Sequence, residues 1–135
     1  MGSDGGYILY EITDKVISAV KSWFFREYMR GYDYENDQHT WYDYTEIDGS
    51  FKEITYKGTF TEFFKHQTGF DGPKREDITL EEIVMLTNCC YLKIVNILDN
   101  ELFRISYGDN ILEEFDYLED YLVHIKPVLR DETWT

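Results

Sequence analysis

The sequence predicts an α+β fold in which helices pack on antiparallel β-hairpins, and three observations carry that prediction. Asp48-Gly49 and Asp99-Asn100 are strong turn dipeptides, each set between runs rich in β-branched and aromatic residues. Apolar residues at helical spacing flank both hairpins. Helices and strands do not alternate at the spacing that βαβ crossovers need. With 135 residues the chain is expected to form one domain, long enough for a core that needs no staples. Met1 to Gly6 reads as a flexible start or a tag scar, and residues 69–77 as a joint between two parts.

The expected order is α-β-β-α-α-β-β-α-β. A first helix over 12–30 presents Val16, Ile17, Val20, Phe24 and Tyr28 as one stripe, with Trp23 beside it. Thr13 can cap its start and Gly31 can take the left-handed stop. Strands Trp41–Ile47 and Phe51–Lys57 flank Asp48-Gly49. A short helix near Thr61–Gln67, with Phe60, Phe63 and Phe64 as core contacts, stops at Gly69. Thr79-Leu80-Glu81-Glu82 is a capping box that opens a helix through about Cys89. Tyr91–Leu98 and Glu101–Tyr107 read as strands. Ile111, Leu112, Phe115, Leu118 and Leu122 form a last helical stripe, and Val123–Val128 a closing strand that Pro127 confines to a sheet edge.

Formal charge is −14 and unevenly spread: residues 1–75 carry nine bases against thirteen acids, residues 76–135 four against fourteen. Aromatic residues make up 18% of the chain, high for a folded protein and against long disorder. Between Arg30 and Lys52 no Lys or Arg occurs. That interval holds Asp33, Tyr34, Glu35, Asp37 and His39, then Trp41, Tyr42, Asp43, Tyr44, Glu46 and Asp48. Carboxylates repel nucleic-acid and membrane phosphates but suit a basic protein surface. Tyr and Trp offer large contact area at little rotamer cost. A second acidic group, Glu113, Glu114, Asp116, Glu119 and Asp120, falls opposite the last apolar stripe.

Chemistry is harder to find. Asp33-x-Glu35-x-Asp37 starts like a calcium loop, yet Gln38 stands where glycine is required and Tyr44 where the bidentate Glu belongs. His39, His66 and His124 lack ligand spacing. They read as surface or capping histidines, His66 facing the carbonyls that end its helix. Negative neighbours are expected to raise the pKa of His39. No nucleophile elbow, Cys–His pair or phosphate-cradling glycine loop occurs. Adjacent Cys89 and Cys90 favour free thiols and a reducing compartment over a strained disulfide. No apolar run approaches the ~20 residues of a membrane span. Catalytic residues, metal and cofactor are expected to be none.

Residues 78–128, with ITLEEIVMLTNC, YLKIVNILDNELFRISYG and LVHIKPVL, resemble small uncharacterised proteins of Firmicutes and their phages. In those a helix with a T-[LIV]-E-E-like start precedes a hairpin and a closing strand. The resemblance implies a phage or mobile-element origin and carries no activity.

The expected function is that of a non-catalytic acidic binding protein in the cytoplasm of a bacterial host. It would inhibit a basic nucleic-acid-handling protein, as anti-CRISPR or DNA-mimic counter-defence proteins do. The partner would be a nuclease, CRISPR effector or toxin, without direct contact to nucleic acid or membrane. Both acidic groups are candidates for the interface, with Tyr42 and Tyr44 exposed and Trp41 partly buried. The rival readings are an immunity protein for a cognate toxin, a small enzyme or ligand-binding domain, and a viral assembly subunit.

Overall fold

The computed structural model describes residues 5–88, 95–108, 115 and 117–131. In chain order its elements are β1 (Gly5–Glu11), α1 (Asp14–Trp23), a π turn (Phe24–Tyr28), β2 (His39–Ile47), β3 (Ser50–Gly58), α2 (Phe60–Thr68), a 3-10 turn (Arg75–Asp77), α3 (Leu80–Thr87), β4 (Val95–Leu98), β5 (Leu102–Gly108), α4 (Leu118–Tyr121) and β6 (Leu129–Asp131). The fold is α+β, with helices and antiparallel sheets. It divides into two compact units: Met1–Met29 with Thr79–Thr135, and the intervening Arg30–Ile78.

The first unit is built on a sheet in the order β4-β5-β1-β6. Strand β1 is absent from the order expected from sequence, yet it has neighbours on both sides, β5 from Gly5↔Gly108 to Glu11↔Leu102 and β6 from Tyr7↔Asp131 to Leu9↔Leu129. Ile8 and Tyr10 point to the buried face, where Phe103 and Ile105 of β5 and Val95 of β4 join them. Gly5 and Gly6, set aside in the sequence as a flexible start, open this strand. A Cβ on Gly6 would stand 1.9 Å from the carbonyl oxygen of Asp131, so the close approach of β6 requires glycine there.

Helix α1 starts where Thr13 predicts, its hydroxyl accepting the Val16 N–H at 3.3 Å. The expected helix over 12–30 is not one α-helix. After Val16, Val20 and Trp23 it loosens into the π turn, with the Met29 N–H donating to the Phe24 carbonyl at 2.8 Å. The extra residue per turn turns Met29 into the core. Trp23 lies 5.9 Å from both Tyr28 and Phe115, ring to ring. Helix α3 carries the expected capping box and buries Leu80, Ile83 and Leu86. Its end is tied to β4 by the Asn88 side-chain amide, which donates to the Val95 carbonyl at 2.6 Å.

Two C-terminal expectations change. The apolar stripe holds for Phe115, Leu118 and Leu122, all buried, but Tyr117 in the left-handed region (φ 71) limits α4 to Leu118–Tyr121. The predicted strand Val123–Val128 is not formed. Tight turns after α4, closed by the Val123 and Ile125 N–H groups, occupy that stretch and expose Val123 and His124. Pro127 has no N–H to offer a ladder, so pairing begins one residue later. Val128 donates to the Leu9 carbonyl at 2.7 Å and β6 follows at the sheet edge. Cys89, Cys90, Tyr91 to Ile94, and Ile111 and Leu112 lie outside the described residues.

In the second unit, β2 and β3 pair without interruption from His39↔Gly58 to Ile47↔Ser50. Asp48 (φ 52) and Gly49 (φ 80) both take the left-handed backbone of a type I′ turn, as the dipeptide predicts. Helix α2 is fixed at both ends: Thr59 and Glu62 form a capping box, and Gly69 (φ 81) closes it.

Gly6→Ala is expected to push β6 off β1 and cost about 1–3 kcal/mol, the usual range for overpacking against a rigid neighbour. Denaturant unfolding measures the loss. Faster exchange of the Val128 amide than in the parent protein locates it at β6.

Candidate binding surface

Alternation along the hairpin of the second unit sorts its side chains onto two faces. His39, Trp41, Asp43, Ile54 and Tyr56 share the face against which α2 packs. The Trp41 ring stacks on Tyr56 at 5.6 Å and meets the edge of Phe63 at 5.2 Å. His66 completes the group, its ring 4.5 Å from Tyr56 and its Nε2 2.6 Å from Asp43 Oδ2. It therefore joins helix to hairpin instead of facing the carbonyls at the end of α2. The opposite face carries Tyr42, Tyr44 and Glu46 of β2 beside Thr55, Glu53 and Phe51 of β3. Tyr42, Tyr44 and Phe51 are 53%, 68% and 76% exposed, whereas Trp41 is 8% exposed. The Tyr44 hydroxyl donates to Glu53 Oε2 at 3.1 Å across the strands, which raises its pKa.

The carboxylates of residues 33–48 do three different jobs. Asp37 is structural: it accepts the Phe60 N–H at 2.9 Å and the Tyr32 hydroxyl at 2.6 Å, with Arg75 3.8 Å away. Burial first, and then this bond, hold the Tyr32 hydroxyl above its ordinary pKa, so it stays a donor. Arg75 in turn lies 4.7 Å over the Tyr34 ring. Asp33 closes a local turn by accepting the Asn36 side-chain amide at 2.8 Å and its backbone N–H at 3.2 Å, which lowers its pKa. Asp43 holds His66. Glu35, Glu46 and Asp48 are exposed.

His39 departs furthest from expectation. It is 8% exposed and sits among the rings of Phe63 at 4.6 Å, Tyr32 at 5.9 Å and Trp41 at 6.1 Å. Burial lowers its pKa, the reverse of the rise expected from acidic neighbours. Its Nδ1 and the Trp41 Nε1 are buried without a hydrogen-bond partner.

The second acidic group belongs to the first unit. Glu119 accepts a hydrogen bond and ion pair from Arg130, and Asp120 is exposed. Glu113, Glu114 and Asp116 lie outside the described residues. Among the described residues no group of three or more His, Cys, Asp or Glu side chains could hold a metal ion, and no helix is long and apolar enough to cross a membrane. A surface depression of about 520 Å³ in the first unit is lined by Glu11, Ile12, Asn100, Glu101, Leu102 and Val128. It offers no histidine, thiol or hydroxyl beside its carboxylates. Phe51 joins Tyr42 and Tyr44 on this surface, although its sequence position marks it only as the start of a strand. Counting back from the Asp48-Gly49 turn places it opposite Glu46, on the side of Tyr44. In comparisons with protein-family models, curated proteins and solved structures, none matches this chain.

Two outcomes follow from these contacts. Asp37→Ala leaves the Phe60 N–H and the Tyr32 hydroxyl without their acceptor and is expected to cost about 1–3 kcal/mol, read by denaturant unfolding. His39 gives a pH dependence of definite sign. Its folded pKa lies below its ordinary 6.5, so the unfolded chain binds a proton that the folded chain refuses. Its contribution is fully present above that pH and is lost as pH falls through 6.5 toward the lower folded value. Stability measured one unit above and one unit below that pH should differ less in His39→Phe than in the parent protein.

Proposed function

We propose that this protein is a non-catalytic binding protein of the bacterial cytoplasm, which inhibits a basic nucleic-acid-handling protein such as a nuclease, an RNA-guided effector or a toxin. The observation that carries the reading is the outward face of the hairpin. Tyr42, Tyr44 and Phe51 are exposed there beside Glu46 and Glu53, with Lys57 at the far end of the face opposite Thr40. Along the chain no Lys or Arg occurs between Arg30 and Lys52. Exposed aromatic rings with polar tips are the side chains from which binding hot spots are made. A net charge of −14 steers basic partners toward the protein and repels phosphate backbones directly. Trp41 supports this surface from beneath, and Asp37 and Asp43 hold its scaffold. Glu35, Glu46 and Asp48 supply the exposed charge near it.

The test is inhibition of a panel of purified nucleases and RNA-guided effectors, followed by binding kinetics on those that respond. Tyr42→Ala and Tyr44→Ala are each expected to weaken inhibition roughly thirtyfold, the loss of about 2 kcal/mol typical of a hot spot. Association should slow as salt rises, because attraction is screened beyond about 10 Å at 0.1 M. Full inhibition by the folded double variant, or an on-rate indifferent to salt, would remove this surface from the function.

A further inference from the structure

We infer that the outer edge of β2 is a strand-addition site for an extended cationic segment of the partner; this deepens the binding reading above and rests on it. Among the described residues β2 pairs with β3 alone. The nine consecutive pairs of this hairpin contain no bulge and no proline, two of the devices by which sheet edges are closed to further strands. The two-residue turn fixes which backbone groups remain unpaired. Ile47↔Ser50 closes the turn as a hydrogen-bonded pair, and the pattern alternates from there. Thr45, Asp43 and Trp41 therefore turn their N–H and C=O groups toward β3. Glu46, Tyr44 and Tyr42 turn theirs outward.

The same three residues place their side chains on the outward face of the hairpin. A strand docking along β2 would thus gain backbone hydrogen bonds and meet two tyrosine rings and a carboxylate in one register. Charge selects the occupant. Strand β2 carries Glu46 on its outward face and Asp43 on the α2 face, where it holds His66, and no Lys or Arg. Asp48 follows it in the turn, whereas β3 carries Lys52 and Lys57 around Glu53. The β2 edge suits a segment with Arg or Lys at alternate positions. Their cationic heads would lie over Tyr42 and Tyr44 and beside Glu46. A second copy of this chain is disfavoured there by its own negative charge. Backbone pairing would supply affinity and the alternate side chains specificity, the division of labour usual when a strand is added to a sheet edge.

The probe is a short capped peptide alternating arginine and valine, added to the whole 135-residue chain, with the same peptide methylated at every backbone nitrogen as control. Amide hydrogen exchange at Tyr42, Tyr44 and Glu46 is expected to slow at least tenfold with the first peptide. The amides of Trp41, Asp43 and Thr45, already bonded to β3, should not change. The methylated peptide, equal in charge and side chains, should bind at least tenfold more weakly. Glu46→Pro removes an outward N–H without breaking the ladder and should weaken binding more than Glu46→Gln. Equal binding of the two peptides, binding without protection of those amides, or no binding at all overturns strand addition. If inhibition of a basic enzyme still depends on Tyr42 and Tyr44 in that event, the binding reading stands and only its mode fails. If neither is seen, both fall.

Discussion

The hairpin of β2 and β3 depends on one clamp at its base, where Trp41 is held between Tyr56 across the strands and Phe63 on α2. A two-stranded sheet is marginal in water by itself. What makes this one persist is the helix laid against its first residues, and the helix is positioned by the same cluster. Asp37 joins the two by accepting the N–H of Phe60, the first residue of α2. The capping box of Thr59 and Glu62 then fixes the angle at which the chain leaves β3. Sheet base, helix start and the Tyr32–Asp37 bond form one cooperative knot, and each strand runs from it toward the turn.

The knot has a cost. His39 Nδ1 and Trp41 Nε1 lose water on burial and gain no protein partner, a penalty of roughly 1–3 kcal/mol per group by mutational measure. Aromatic packing offsets it, since each ring in such a cluster buries a large area and tilted or stacked pairs add to that. The result is a gradient of order along the hairpin. His39, Trp41 and Gly58 at its base are buried, whereas residues from Ser50 to Thr55 are exposed. A ribbon anchored at one end and open at the other suits recognition, because the anchored end limits the entropy lost when the open end engages a partner.

Local chemistry was legible in the sequence. Asp48-Gly49, Thr13, Gly69 and the Thr79–Glu82 box all do in the fold what their short-range geometry predicts, whereas the first helix ends at the π turn capped by Met29, two residues before the expected stop at Gly31. The alternation that exposes Tyr42 and Tyr44 while covering Trp41 follows from period two. What the sequence left hidden depends on distant partners. Strand β1 is defined by β5 and β6, nearly a whole chain away, and its glycine is explained only by the carbonyl of Asp131. The shift of the last strand from Val123–Val128 to Leu129–Asp131 is likewise decided by where β1 offers the Leu9 carbonyl. His39 looked like a histidine among carboxylates in one dimension. In three dimensions its neighbours are rings from β2, α2 and Tyr32, so desolvation decides its protonation. Asp37 looked like one of a run of equivalent acids, and only the position of Phe60 gives it a structural task.

This sorting of the carboxylates changes what the acidic character means. In sequence the segment 33–48 presents six negative charges as one block. In the fold Asp37 and Asp43 face internal donors, and Asp33 is spent on a local turn. Charges committed in this way still contribute to the long-range field, which depends on their number and place and not on their hydrogen bonds. They contribute little to short-range contacts, because a partner would first have to displace donors they already hold. In the proposed binding function, steering and recognition would therefore fall to different residues. On the binding function proposed above, the net charge of the whole chain would set how fast a basic partner arrives, and the few exposed groups beside Tyr42, Tyr44 and Phe51 would set which partner stays.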